Sequence, residues 1–387
     1  MKAIAIAAAV VGLTVGFTGA LLTARPFDKA NQSLDLIFGA PPAWTQVKNL
    51  VRDERIQELS RGERPLASFG ALEKHWKGRG GRRVCFIGNS QMLAVSLADG
   101  EPRSDQAEPT YVDQLALDGD RRGLLVYRLS APGMSYAEAL WYVRYLLLDD
   151  RIRPDEVVVQ VNYQAFWNAG IRGGMLEMLE QDRFREEIER EAAGSAAYAE
   201  TFREALREWR QNRNKKPEQA PAAGMRFGEQ VEAATREELG RLAAVFSERR
   251  VQKDDFLEML YRLRVYVLQL KPSTARTISG TRWERSRAAL EAMVGACREK
   301  HVKVLLFHAP LNPKVKLYRS ARDREEYRKF IATVAGQEGV RLVDLESALS
   351  EQYWGRWMNG PDPLHIGRQG HRLMAARFAG LLEEEKP

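Results

Sequence analysis

Val84-Cys85-Phe86-Ile87-Gly88-Asn89-Ser90 is the stretch on which the fold turns. Four apolar residues run without polar alternation, then a glycine, an asparagine and a serine follow at once. An unbroken run of this length reads as a strand buried on both faces, as in a parallel sheet covered by helices. Ligands of open α/β sheets sit beyond the carboxyl ends of the strands, so Ser90 stands where a reactive hydroxyl could work. A serine or asparagine there also serves simply as a helix cap.

Outward from this strand the pattern repeats. Apolar runs at 124–129, 157–161, 302–307 and 340–344 predict four more strands. Helical spacing separates them at 135–148, 282–300 and 370–384. The first of these helices opens on Ser135-Tyr136-Ala137-Glu138, a capping box in which the Ser oxygen and the Glu carboxylate satisfy free N–H groups of the first turn. Strands alternating with helices predict an α/β parallel sheet in a three-layer arrangement. Between the third and fourth strands, 170–280 is rich in Glu, Arg and Ala and reads as a helical insertion. Helices are expected within it at 175–190, 197–210, 235–249 and 254–270.

After Lys2, residues 3–24 carry no charge, and Arg25-Pro26 closes the stretch. That is about the 20 residues a membrane-crossing helix needs. Residues 1–26 are therefore expected to be an N-terminal transmembrane anchor, with a signal peptide as the alternative. The large polar domain beyond it is expected to be extracytoplasmic. Residues 27–83 read as a juxtamembrane segment that ends in the basic turn Lys77-Gly78-Arg79-Gly80-Gly81-Arg82-Arg83. This turn lacks the Lys-Ser/Thr of a phosphate loop. The sheet domain is assigned to 84–169 and 281–387.

The 387 residues are 44% hydrophobic and 29% charged, which excludes wholesale disorder and a multi-span membrane protein. A net charge of +7 with interleaved signs calls for no nucleic-acid partner. Two cysteines, Cys85 and Cys297, build neither a disulfide framework nor a zinc site and are expected as buried thiols. No metal or cofactor is expected.

Three further strand-end or near-terminal signals join Ser90. The second strand ends in Ser130-Ala131-Pro132-Gly133, where a glycine lets backbone N–H groups approach a ligand. The third ends at Asn162-Tyr163, and an Asn side chain there can donate into the same crevice. Asp362-Pro363-Leu364-His365 lies on an expected turn before the last helix, where the carboxylate could hold the imidazole as a base. Each signal alone has a plainer reading as turn, cap or surface loop. Together they supply a nucleophile, two amide-type donors and a base with its orienter.

In these blocks the chain resembles the SGNH (GDSL-like) hydrolase superfamily, which carries Gly-Asp-Ser, a Gly, Gly-x-Asn and a late Asp-x-x-His. Here they read Gly88-Asn89-Ser90, Gly133, Gln160-Val161-Asn162 and Asp362-Pro363-Leu364-His365. Asn89 and Gln160 depart from the pattern. The likeness covers about 84–168 and 300–383. It implies Ser90 as nucleophile, His365 as general base and Asp362 as its orienter. The N–H groups of Ser90 and Gly133 and the side chain of Asn162 would form the oxyanion hole. The anchor, the insertion, Phe307-His308-Ala309-Pro310-Leu311-Asn312 and the Asp-x-x-His-x-Gly-x-x-Gly ending are similar to the DltD-like and AlgJ-like membrane-anchored members.

That narrower resemblance implies an acyltransferase or esterase at the cell envelope. It would move an acyl group, acetyl or D-alanyl, to or from an exported polysaccharide or teichoic-acid-like acceptor, beside a membrane-bound O-acyltransferase. His308, Tyr163 and Trp167 are the expected substrate contacts. Two alternatives stand beside this one: a non-catalytic subunit that binds polymer or the acyltransferase, and a lipid esterase.

Overall fold

Five parallel strands build one sheet: β1 (Arg82–Gly88), β2 (Leu124–Ser130), β3 (Glu156–Val161), β4 (Lys303–His308) and β5 (Val340–Asp344), in the order β2-β1-β3-β4-β5. The computed structural model describes residues 65–93, 95, 109–119, 122–214, 278, 280–315, 317, 318, 320–357 and 360–383. The expected anchor at 1–26 and the insertion helices expected at 235–249 and 254–270 lie outside them. Among the described residues no helix is long and apolar enough to cross a membrane.

The apolar runs are strands because both faces of the sheet are covered. Side chains alternate along each strand. Cys85 and Ile87 of β1 enter one core with Val157 and Val159 of β3, beneath α1 (Pro65–Trp76), α3 (Tyr136–Leu148), α6 (Gly280–Glu299) and α7 (Ala321–Ala335). Val84 and Phe86 enter the other core, against α2 (Tyr111–Gly119) and α8 (Arg368–Glu383). The result is a three-layer α/β fold. Both cysteines are free and buried within the larger core.

Within the expected insertion, a 3-10 segment (Gly173–Glu180) leads to α4 (Asp182–Ala192) and α5 (Ala199–Asn214). Trp141 of α3, fully buried, meets Phe184 and Phe202 edge-on at centroid distances of 5.5 and 5.7 Å, which fixes α4 and α5 onto α3. The capping box of α3 forms as read: Glu138 N–H donates to Ser135 Oγ at 3.1 Å and Ser135 N–H to Glu138 Oε2 at 2.9 Å.

One expectation is corrected. The Asp-x-x-His segment is not a turn but a strand, β7 (Gly360–Ile366), paired antiparallel with β6 (Trp354–Trp357) in a hairpin before α8. Its two prolines suit a two-stranded ribbon, where one edge of each strand makes no ladder bonds.

Candidate functional site

The strand order reverses direction at β1: the chain runs from β1 to β2 on one side, then crosses to β3 on the other. That switch point is where a crevice opens beyond the carboxyl ends of an open α/β sheet. Parallel register pairs Gly88 with Ser130 and Ile87 with Val159. Ser90 is therefore flanked by the ends of β2 and β3, from which Gly133 and Asn162 emerge. The crevice is walled by Gly88, Asn89, Met134, Ser135, Gln160 and Asn162. A larger concavity, among Arg82, Arg153, Lys300 and Lys303, lies at the opposite, amino-terminal edge of the sheet and holds none of the candidate residues.

Ser90 starts a short 3-10 turn, Ser90–Met92, capped by Asn89, whose Oδ1 accepts from Gln91 N–H at 3.1 Å. Asn89 N–H donates to Gln160 Oε1 at 2.9 Å. The N–H groups before and after Ser90 are thus satisfied, while the Ser90 N–H has no acceptor among the described residues. The Ser90 hydroxyl likewise has no partner among them, and the residue is half-buried. Gly133 sits in an exposed turn at φ +61°, a left-handed conformation that favours glycine. Its N–H too has no acceptor among the described residues.

Asn162 is buried and caps the turn Tyr163–Trp167, its Oδ1 accepting from Ala165 N–H at 2.8 Å. That contact assigns the oxygen and leaves Nδ2 as a donor with no acceptor among the described residues. Asn162 lines the crevice itself, and Ser90 and Gly133 are chain neighbours of its lining residues Asn89 and Met134. Donors that converge on a carbonyl oxygen can stabilise the charge developing there.

His365 reaches this region through β7, which packs against the turn Ser90–Met92. The imidazole is half-buried, and Ser90 Oγ is not hydrogen-bonded to it. Nucleophile–base contacts are often long before substrate binds. The side chain of Asp362 lies outside what the structure describes. His371 is fully buried and accepts from Tyr111 N–H at 3.1 Å, which ties α8 to α2.

The three residues expected to touch substrate lie inside or against the core. His308 at the end of β4 is buried, with Nδ1 3.0 Å from the Tyr327 hydroxyl. Tyr163 is buried against Tyr318, and Trp167 is packed against the larger core. Burial holds the His308 imidazole below its ordinary pKa of 6.5, outweighing the pull of Glu346. The unfolded chain then binds a proton that the folded chain refuses, so stability falls as pH drops through the ordinary value. A His308→Gln variant is expected to show a flatter acid limb in denaturation measured from pH 7.5 to 5. The difference in slope is at most about 1.4 kcal/mol per pH unit. Equal slopes would remove His308 as the cause.

Residues that motif reading passed over also shape the site. Arg172 donates from Nη2 to Pro132 O at 3.0 Å and from Nε to the fully buried Glu138 at 2.7 Å. It thereby holds the Gly133 turn onto the start of α3. Gln91 is buried beneath the nucleophile turn and donates to Pro310 O at 3.0 Å. Gln160 was visible only as a departure from the resembled pattern.

Among known proteins, residues 273–373 match the model of the GDSL-like Lipase/Acylhydrolase family. The match spans about a quarter of the chain; it includes Asp362 and His365 but not Ser90, Gly133 or Asn162. No curated protein matches. Similar solved structures include an acetylxylan esterase from Geobacillus stearothermophilus, at 13% identity, covering 80% of this chain and 96% of that one with TM-score 0.36. A GDSL-like lipase from Bacteroides thetaiotaomicron gives 10% identity, 85% and 100% coverage and TM-score 0.36. An alpha/beta hydrolase enzyme from the metagenome of Lake Arreo gives 14%, 79% and 96%, and 0.37.

Proposed function

We propose that this chain is a serine-dependent acyl hydrolase or acyltransferase of the GDSL-like type. One observation carries the reading. A hydroxyl and three donors without acceptors among the described residues follow the ends of β1, β2 and β3 about the sheet's switch point, and the hairpin that bears His365 packs against the Ser90 turn. The family match over the segment containing that hairpin supports it.

In the proposed reaction Ser90 Oγ attacks an ester carbonyl carbon as His365 takes the hydroxyl proton. The new C–O bond pushes charge onto the carbonyl oxygen, which the Ser90 and Gly133 N–H groups and Asn162 Nδ2 receive. Collapse breaks the bond to the leaving alkoxide, and His365 returns the proton to it. An incoming hydroxyl or water, deprotonated by His365, then takes the acyl group from Ser90. Asp362 is proposed to orient His365.

The finer reading follows the chain's N-terminal and motif resemblance. It is a membrane-anchored, extracytoplasmic enzyme that moves an acetyl or D-alanyl group to or from an envelope polysaccharide or teichoic-acid-like polymer. A membrane-bound O-acyltransferase would be its partner. Mass spectrometry of the Ser90 peptide after incubation with a short-chain activated ester tests the shared chemistry. A trapped acyl group on Ser90 is expected, and acylation at another residue or none would refute it.

Asn162 separates its two tasks by substitution. Asn162→Asp retains an oxygen for the Ala165 N–H but removes the donor; Asn162→Ala removes both. Each is expected to lower kcat on a reporter ester by on the order of 100-fold. Only the alanine variant should also lose about 1 kcal/mol of stability through the missing cap. Unchanged kcat in both would take Asn162 out of the oxyanion hole.

A further inference from the structure

We infer that Gln160 is a positioning residue for the nucleophile turn, acting with Gln91. Its carboxamide fixes the peptides around Ser90 so that the Ser90 N–H is the one left to the crevice. This rests on the acyl-transfer chemistry proposed above.

The wiring is continuous and its polarity is forced from both ends. Asn89 N–H is only a donor, so Gln160 must present Oε1 to it, at 2.9 Å. Gln160 Nε2 must then face Gln91, donating to Oε1 at 2.5 Å. Gln91 Nε2 is thereby turned to Pro310 O, an acceptor only, at 3.0 Å. Both glutamines are 3% exposed, so neither amide can flip without stranding a buried group. The Gln160 side chain also lies across Gly88: a Cβ built there would stand 2.6 Å from its Oε1 and 2.8 Å from its Cβ. Gly88 is the strand end that admits this side chain. The loop after β4, the end of β3 and the turn after β1 are locked together by two side chains.

The effect is on orientation. With Asn89 N–H taken by Gln160 and Gln91 N–H taken by Asn89, the turn has one donor to spare, at Ser90. A methionine in place of Gln160 fills similar volume but supplies no amide. The Asn89–Ser90 peptide would then be free to rotate away from the geometry an oxyanion needs.

The experiment compares wild type, Gln160→Met and, from the far end of the relay, Gln91→Met. Steady-state kinetics use a short-chain p-nitrophenyl ester, and hydrogen-exchange mass spectrometry follows the peptide spanning 86–93. Both variants are expected to lower kcat by about 10- to 100-fold with KM within about twofold, since a small misplacement of a donor acts on the transition state. Exchange should quicken in 86–93 while the rest of the sheet is unchanged. Wild-type kcat, or a loss carried wholly by KM, would overturn the inference, as would unaltered exchange in 86–93. If the wild type never acylates Ser90, the proposed chemistry fails, while the exchange data still decide whether Gln160 holds the turn. If one variant does not fold, the other reads the same relay.

Discussion

Ser90→Ala is expected to bring turnover of a reporter ester down to background, on the order of 10⁴-fold or more, because the acyl-enzyme can no longer form. The fold should not notice. The hydroxyl has no hydrogen-bond partner among the described residues, so its removal strands no buried group there. The residue is half-buried, and small substitutions at such positions usually change stability by less than about 0.5 kcal/mol. Activity and stability are therefore expected to part company in this variant, a pattern that a residue serving only as a helix cap does not give. Here the cap is Asn89, not Ser90. The measurement is ester hydrolysis alongside a denaturation curve. Residual turnover near the wild-type rate would move the nucleophile elsewhere. A wild type that binds polymer but turns over no ester, and binds it equally well as Ser90→Ala, would favour the non-catalytic reading. A series of acyl chain lengths extends the same assay to the lipid-esterase alternative.

The sheet was legible because its strands are buried on both faces. Val84 to Ile87 and Val157 to Val159 have no wet side, so their sequence needs no alternation. The residues that follow each strand were legible for the same reason, since a parallel sheet puts all its strand ends on one edge. Helix α2 was missed because it is short and buries Asp113 beside Tyr111 and Val112, and a carboxylate on the inner face reads as solvent-facing. Helix α7 was missed although helical spacing is present at Tyr327, Phe330, Ile331 and Val334, where many charged residues stand between and before them. The segment Asp362–His365 was read as a turn; Pro361 and Pro363 would argue against a ladder in a central strand, but not in a two-stranded hairpin such as β6–β7. Of the Gln160–Gln91–Pro310 relay the sequence showed only that Gln160 departs from the resembled pattern. The relay joins residues up to 219 positions apart, and only the finished sheet brings them together.

The pair Arg128–Asp113 gives the largest expected effect on stability. Arg128 points from β2 into the core shared with α2, and its side chain is 1% exposed against 3% for Asp113. Its guanidinium donates to Asp113 Oδ2 at 3.1 Å, to Thr110 Oγ1 at 2.8 Å and to the backbone oxygen of Met92. Asp113 also accepts from Thr110 N–H at 2.9 Å and from its hydroxyl at 2.7 Å. Removing the cation alone leaves a carboxylate buried without its counter-charge, which costs about 3–5 kcal/mol. Arg128→Met is expected to lose that much in chemical denaturation. Arg128→Met combined with Asp113→Asn should recover a large part of it, because the amide still accepts from Thr110 while the stranded charge is gone. The variant also releases Met92 O, the last carbonyl of the turn that begins at Ser90. Ester turnover is therefore expected to fall at temperatures where the protein is still folded. A single variant within about 0.5 kcal/mol of wild type would show that solvent reaches the pair, and a double variant no better than the single would show that packing of the guanidinium, not charge, holds α2 and the nucleophile turn to the sheet.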